Sequence, residues 1–106
     1  MDESFREFNY FLDSKKENQL FIKFEYSADF LVNAFVIIYL TKVNGVFEEV
    51  VKYDYSKRET LHVHYFFKKH SRKEYLGLPP TIDTLFELKI KLTENWQKYL
   101  IKFNKE

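Results

Sequence analysis

His62 and His64, two of only three histidines in the chain, stand two residues apart and follow Asp54 across a short loop. Imidazoles titrate near neutral pH and are good ligands for zinc, iron, nickel or copper, so this pair can move protons or hold a transition metal. Residues two apart on an extended strand share a sheet face, and a hairpin between Asp54 and His62 would bring the carboxylate to the imidazoles. Asp54, His62 and His64 are therefore the candidate catalytic residues. The same spacing also describes two strand histidines on a partly exposed face, with no cofactor at all. His70 is the natural third ligand, yet Lys68, Lys69, Arg72 and Lys73 around it would repel a cation.

Those cations belong to a basic stretch: residues 57 to 73 carry six Lys or Arg against the single acid Glu59, although the whole chain is only +1. Lys57, Arg58, Lys68, Lys69, Arg72 and Lys73 are the candidate nucleic-acid contacts, neutralising phosphates while an exposed ring among Tyr65, Phe66 and Phe67 stacks on a base. Alternation sends Tyr65 and Phe67 toward a core, and a charge cluster of this size is also an ordinary solvated hairpin end. There is no phosphate-binding glycine loop, nucleophile elbow, zinc-protease helix or calcium loop.

The elements that must position these residues read as strands and one helix. Leu20, Ile22, Phe24 and Tyr26 alternate with Lys23 and Glu25 in a first strand over 19–28, and Asp29 and Phe30 turn the chain into a second over 31–41. Asn44-Gly45 suits a two-residue type I′ turn, which sets Tyr39 opposite Val50, Ile37 opposite Lys52 and Phe35 opposite Asp54. The more uniformly apolar face, Ala34, Val36, Ile38 and Leu40 with Phe47, Val51 and Tyr53, is assigned to the core under the helix. Phe35, Ile37, Tyr39 and Val50 then form a second greasy face, the candidate homodimer interface. Phe5, Phe8, Phe11 and Leu12 recur at helical spacing in an N-terminal helical or extended segment that could also cover it.

A fourth strand over 60–68 puts Leu61, Val63, Tyr65 and Phe67 on one face and His62, His64 and Phe66 on the other. Thr81 caps a helix from about 82 to 103 whose stripe of Leu85, Leu88, Leu92, Trp96, Tyr99 and Phe103 seals the sheet. The expected fold is a single α+β domain over residues 1–106, a four-stranded antiparallel meander packed against a long C-terminal helix. Phase places both imidazoles and Asp54 on the sheet face away from that helix.

Composition bounds the setting. Aromatics make up 20% of the chain, more than a core of this size readily encloses, so some rings should serve a subunit or ligand surface. The chain has no cysteine, which excludes disulfides, zinc-thiolate sites and thiol nucleophiles. The first residues lack a secretory pattern and the longest apolar run is far short of a membrane span, so the expected location is cytoplasmic, without a membrane partner.

From about Phe30 to Phe103 the order of features resembles small prokaryotic proteins related to the TumE-type toxins of toxin-antitoxin systems. The resemblance rests on Val51-Lys52-Tyr53-Asp54, a short loop, Leu61-His62-Val63-His64 and a closing helix. The asparagine that often follows the aspartate is Tyr55 here, and Ser56 to Thr60 replaces a proline- and histidine-rich loop. The resemblance implies a toxin-like role on RNA or nucleotides with an antitoxin partner, and Asp54, His62 and His64 as the matching positions. A noncatalytic homodimeric interaction domain is the alternative.

Overall fold

A computed structural model of the chain describes residues 4–27 and 31–105. Six strands, β1 (Ser4–Phe11), β2 (Asn18–Tyr26), β3 (Val32–Val43), β4 (Val46–Ser56), β5 (Glu59–Phe66) and β6 (Ser71–Tyr75), precede one helix, α1 (Ile82–Lys105). The strands pair in chain order as an antiparallel meander. The class is α+β, with two strands more than the four expected. The N-terminal segment is β1, where pleat alternation replaces the helical spacing of Phe5, Phe8 and Phe11. The basic stretch turns back as β6. The turn expected at Asp29 and Phe30 lies outside the described residues.

Local chemistry explains the joints. Asn44 and Gly45 have φ of 51° and 83° and close the β3–β4 hairpin with Val43 opposite Val46, the left-handed geometry that this dipeptide tolerates. Asp13 holds the β1–β2 connection by accepting bonds from the backbone N–H of Glu17 and Asn18, and these bonds, with one from the Asn18 amide, keep its carboxyl below the usual range against the opposing effect of desolvation. Thr81 Oγ1 accepts from the Thr84 N–H at 3.2 Å as the α1 N-cap. No helix among the described residues is long and apolar enough to cross a membrane.

One extra residue changes which face is which. Leu40 opposes Glu49 but Tyr39 opposes Val51, leaving Val50 as a bulge. Beyond it the register differs by one from the expected pairing: Ile37 opposes Tyr53 and Phe35 opposes Tyr55. The core is thus Leu20, Ile22, Phe35, Ile37, Tyr39, Val50, Val51, Tyr53, Leu61 and Val63, closed by Leu85, Leu88, Leu92 and Phe103 of α1. Tyr39 meets Trp96 edge-on at 6.1 Å between centroids. This corrects two expectations. Phe35, Ile37, Tyr39 and Val50 lie under the chain's own helix, at most 2% exposed, so they are no interface for a second subunit. Val36, Ile38 and Leu40, expected in the core, lie half-buried on the face that α1 leaves open.

Candidate functional site

The phase of β4 and β5 downstream of the bulge sends Asp54 and both histidines to the open face. Asp54 directly opposes His62, and Lys52 opposes His64. β6 then adds Tyr75 opposite His62 and Lys73 opposite His64. Three neighbouring strands therefore gather Lys52, Asp54, His62, His64, Lys73 and Tyr75 on one surface, and Glu59, three residues before His62, reaches into it.

His62 is the buried centre, 2% exposed. Its Nδ1 lies 2.8 Å from the carbonyl oxygen of Thr60, which can only accept, so Nδ1 carries the proton. Nε2 then faces two carboxylates, Glu59 Oε1 at 3.6 Å and Asp54 Oδ2 at 3.9 Å. Glu59 Oε2 accepts from Lys73 Nζ and from the Tyr75 hydroxyl. The Lys73 bond foremost, then that of Tyr75, holds the Glu59 carboxyl down to about 2. The same contact raises Lys73 above its ordinary value, so both partners stay charged at neutral pH.

His64 stands edge-on to His62 at 5.2 Å and to Phe66 at 5.5 Å. Burial, then the electrostatic influence of His62, Lys73 and Lys52, lowers its pKa from 6.5, with Asp54 opposing. It is neutral at pH 7 and able to accept a proton. A shallow groove of about 640 Å³ runs past it, lined by Lys52, Phe66, Lys68, Phe103 and the two acids Glu48 and Glu49. A second cleft, about 200 Å³, lies on the Asp54 side next to Lys23 and Val36.

The six candidate phosphate contacts do not form one patch. Lys57 and Arg58 are in the β4–β5 turn, whereas Lys68 and Lys69 follow the other end of β5, roughly 26 Å away for an eight-residue strand at about 3.3 Å per residue. Arg72 points to the helix side, over the Tyr65 ring at 4.8 Å and paired with Glu74 at 2.9 Å. Only Lys68, at the groove, and Lys73, in the cluster, neighbour His64. His70 sits exposed in the β5–β6 loop. Among the described residues no three His, Asp or Glu side chains are gathered to hold a metal ion.

Sequence reasoning missed Glu59, Tyr75 and Lys52. Glu59 was legible three residues before His62, but Tyr75 becomes a neighbour only once Ser71–Tyr75 pairs as a strand. An all-antiparallel six-stranded meander, one face sealed by a C-terminal helix and the other bearing an ionisable cluster, is the class that fold and site define. The chain belongs to the family described as Domain of unknown function (DUF7718), whose profile spans residues 2–106. No curated protein and no solved structure matches it.

Proposed function

We propose that the open face of β4–β6 is an acid–base site acting on RNA or a nucleotide, in keeping with the toxin-like role that the TumE resemblance implies. The observation that carries this reading is the position of His64, a neutral imidazole where the carboxylate–lysine–tyrosine cluster meets a groove holding Lys52, Phe66 and Lys68. His64 takes the proton of a hydroxyl whose oxygen bonds to the phosphorus of an ester while the P–O bond on the opposite side breaks, and the departing alkoxide takes its proton from solvent. Lys52, Lys68 and Lys73 offset phosphate charge, and Phe66 offers a ring to a base. Buried His62, fixed by Thr60, Asp54 and Glu59, is a positioning residue for His64.

His64→Ala tests this, because its half-exposed side chain can be removed with little effect on folding. RNA cleavage, nucleotide hydrolysis or growth inhibition on expression should fall by about 10²-fold or more at an unchanged melting temperature. Full activity in the His62→Ala/His64→Ala double variant sinks the reading.

A second reading, a noncatalytic interaction domain, is favoured by the half-exposed apolar band of Phe21, Val36, Ile38 and Leu40 on the same open face. Activity separates the two. A chain without action on RNA or nucleotides, whose binding to a partner is lost on Ile38→Glu and kept on His64→Ala, is an interaction domain.

A further inference from the structure

The two edges of the sheet are built differently. β6 is five residues long and charged, with Arg72, Lys73 and Glu74 in its centre, the usual protection of an edge against pairing. β1 is eight residues long, and among the described residues it pairs only with β2. It carries exposed Phe5 (56%), Phe8 (37%) and Phe11 (42%). A long aromatic edge with a free row of backbone N–H and C=O groups is a template for another strand.

We propose that this edge is an interface with a second copy of the chain, β1 pairing antiparallel with the partner's β1 into one continuous twelve-stranded sheet. The sequence selects the register. A two-fold axis normal to the sheet keeps each face on its own side, so opposed residues must share a face. Ser4, Arg6, Phe8 and Tyr10 oppose Tyr26, Phe24, Ile22 and Leu20 and lie on the helix side; Phe5, Glu7, Asn9 and Phe11 lie on the open side.

Centring the pair on Glu7 sets two carboxylates against each other, and centring it on Arg6 does the same with two guanidinium groups. Centring it on Phe8 opposes Phe8 with its symmetry mate, Arg6 with the partner's Tyr10, Phe5 with the partner's Phe11, and Glu7 with the partner's Asn9. All charges are then matched to neutral or aromatic neighbours, which are the favourable cross-strand pairs. This interface goes beyond the acid–base reading and leaves the histidine face of both copies open.

A chain without cysteine allows a direct test. Sedimentation of the unaltered protein at high-micromolar concentration should give twice the 13.0 kDa chain mass, and Phe8→Glu should give a monomer. Under mild oxidation Phe8→Cys should cross-link to a covalent dimer, its two Cα atoms falling within disulfide reach on the axis, while Glu7→Cys should cross-link far less. A wild-type monomer overturns the proposal whatever the variants do. So does cross-linking of Glu7→Cys that equals or exceeds that of Phe8→Cys. Neither result bears on the activity of His64→Ala, so the two proposals fail separately.

Discussion

The two faces of the sheet use adjacent residues of the same strands for opposite purposes. Ile37 and Ile38 are neighbours of identical chemistry, yet Ile37 is fully buried under α1 and Ile38 is half-exposed on the open face. On β4 and β5, Tyr53 and Val63 go to the helix while Asp54, His62 and His64 face away from it. The covered face gains its stability from apolar burial and tolerates little change. The open face concentrates charge, a proton acceptor and a buried imidazole on an already stable platform. Chemistry on such a platform can be altered without unfolding it, provided that the altered group is not His62.

Truncating each isoleucine to alanine gives the largest separation between the faces. Ile37→Ala removes a fully packed side chain and should cost about 2–5 kcal/mol in denaturant unfolding. Ile38→Ala truncates a side chain that is only partly buried and should cost less, about 1 kcal/mol. Equal losses would mean that the open face is covered after all, by another chain or by a different arrangement of this one.

Acid should act through the open face. His64 has its pKa lowered in the folded chain, so as pH falls through 6.5 the unfolded chain takes a proton that the folded one resists, and stability declines. Glu59, held down to about 2 against 4.5, adds a second decline from near pH 4.5 toward 2 as its bonds to Lys73 and Tyr75 are lost. Melting temperature against pH should therefore show two limbs. His64→Ala should flatten the upper limb and Glu59→Gln the lower, each leaving the other in place. A profile unchanged by either substitution would detach these groups from folding.

The limits of sequence reading trace to particular residues. The Asn44-Gly45 turn, the Thr81 cap and the α1 stripe were legible because each depends on local chemistry. The histidine phase was legible because the pairs Lys52–His64, Tyr53–Val63 and Asp54–His62 run in unbroken register, so residues two apart stay on one face. The facing of β3 was not. An apolar run with isoleucine on both sides gives no phase of its own, and the phase inferred from the hairpin was inverted by one bulged valine, Val50. β1 was obscured because Phe5, Phe8 and Phe11 at spacings of three imitate a helix, although as a strand they divide between two faces. Tyr75 joined the site only through β6, a strand hidden in what reads as a basic loop, whereas Glu59 reaches it from the start of β5 itself.

The finest contrast lies within the covered face, between two tyrosines. Tyr39 and Tyr53 are both essentially inaccessible, and burial raises the pKa of each. Tyr39 donates its hydroxyl proton to Asn18 Oδ1 at 2.6 Å, the oxygen that also accepts from Thr41 at 2.9 Å. Among the described residues the Tyr53 hydroxyl has no such partner. A buried hydroxyl without a bond has given up water for nothing, whereas a bonded one is a net gain. The same atom deletion should therefore have opposite signs. Tyr39→Phe should destabilise by about 1 kcal/mol, and Tyr53→Phe should be neutral or stabilise by up to about 1 kcal/mol. Paired urea melts decide it, and a loss at Tyr53 equal to that at Tyr39 would show that its hydroxyl is bonded in solution, through a bridging water or a shift of nearby Tyr99.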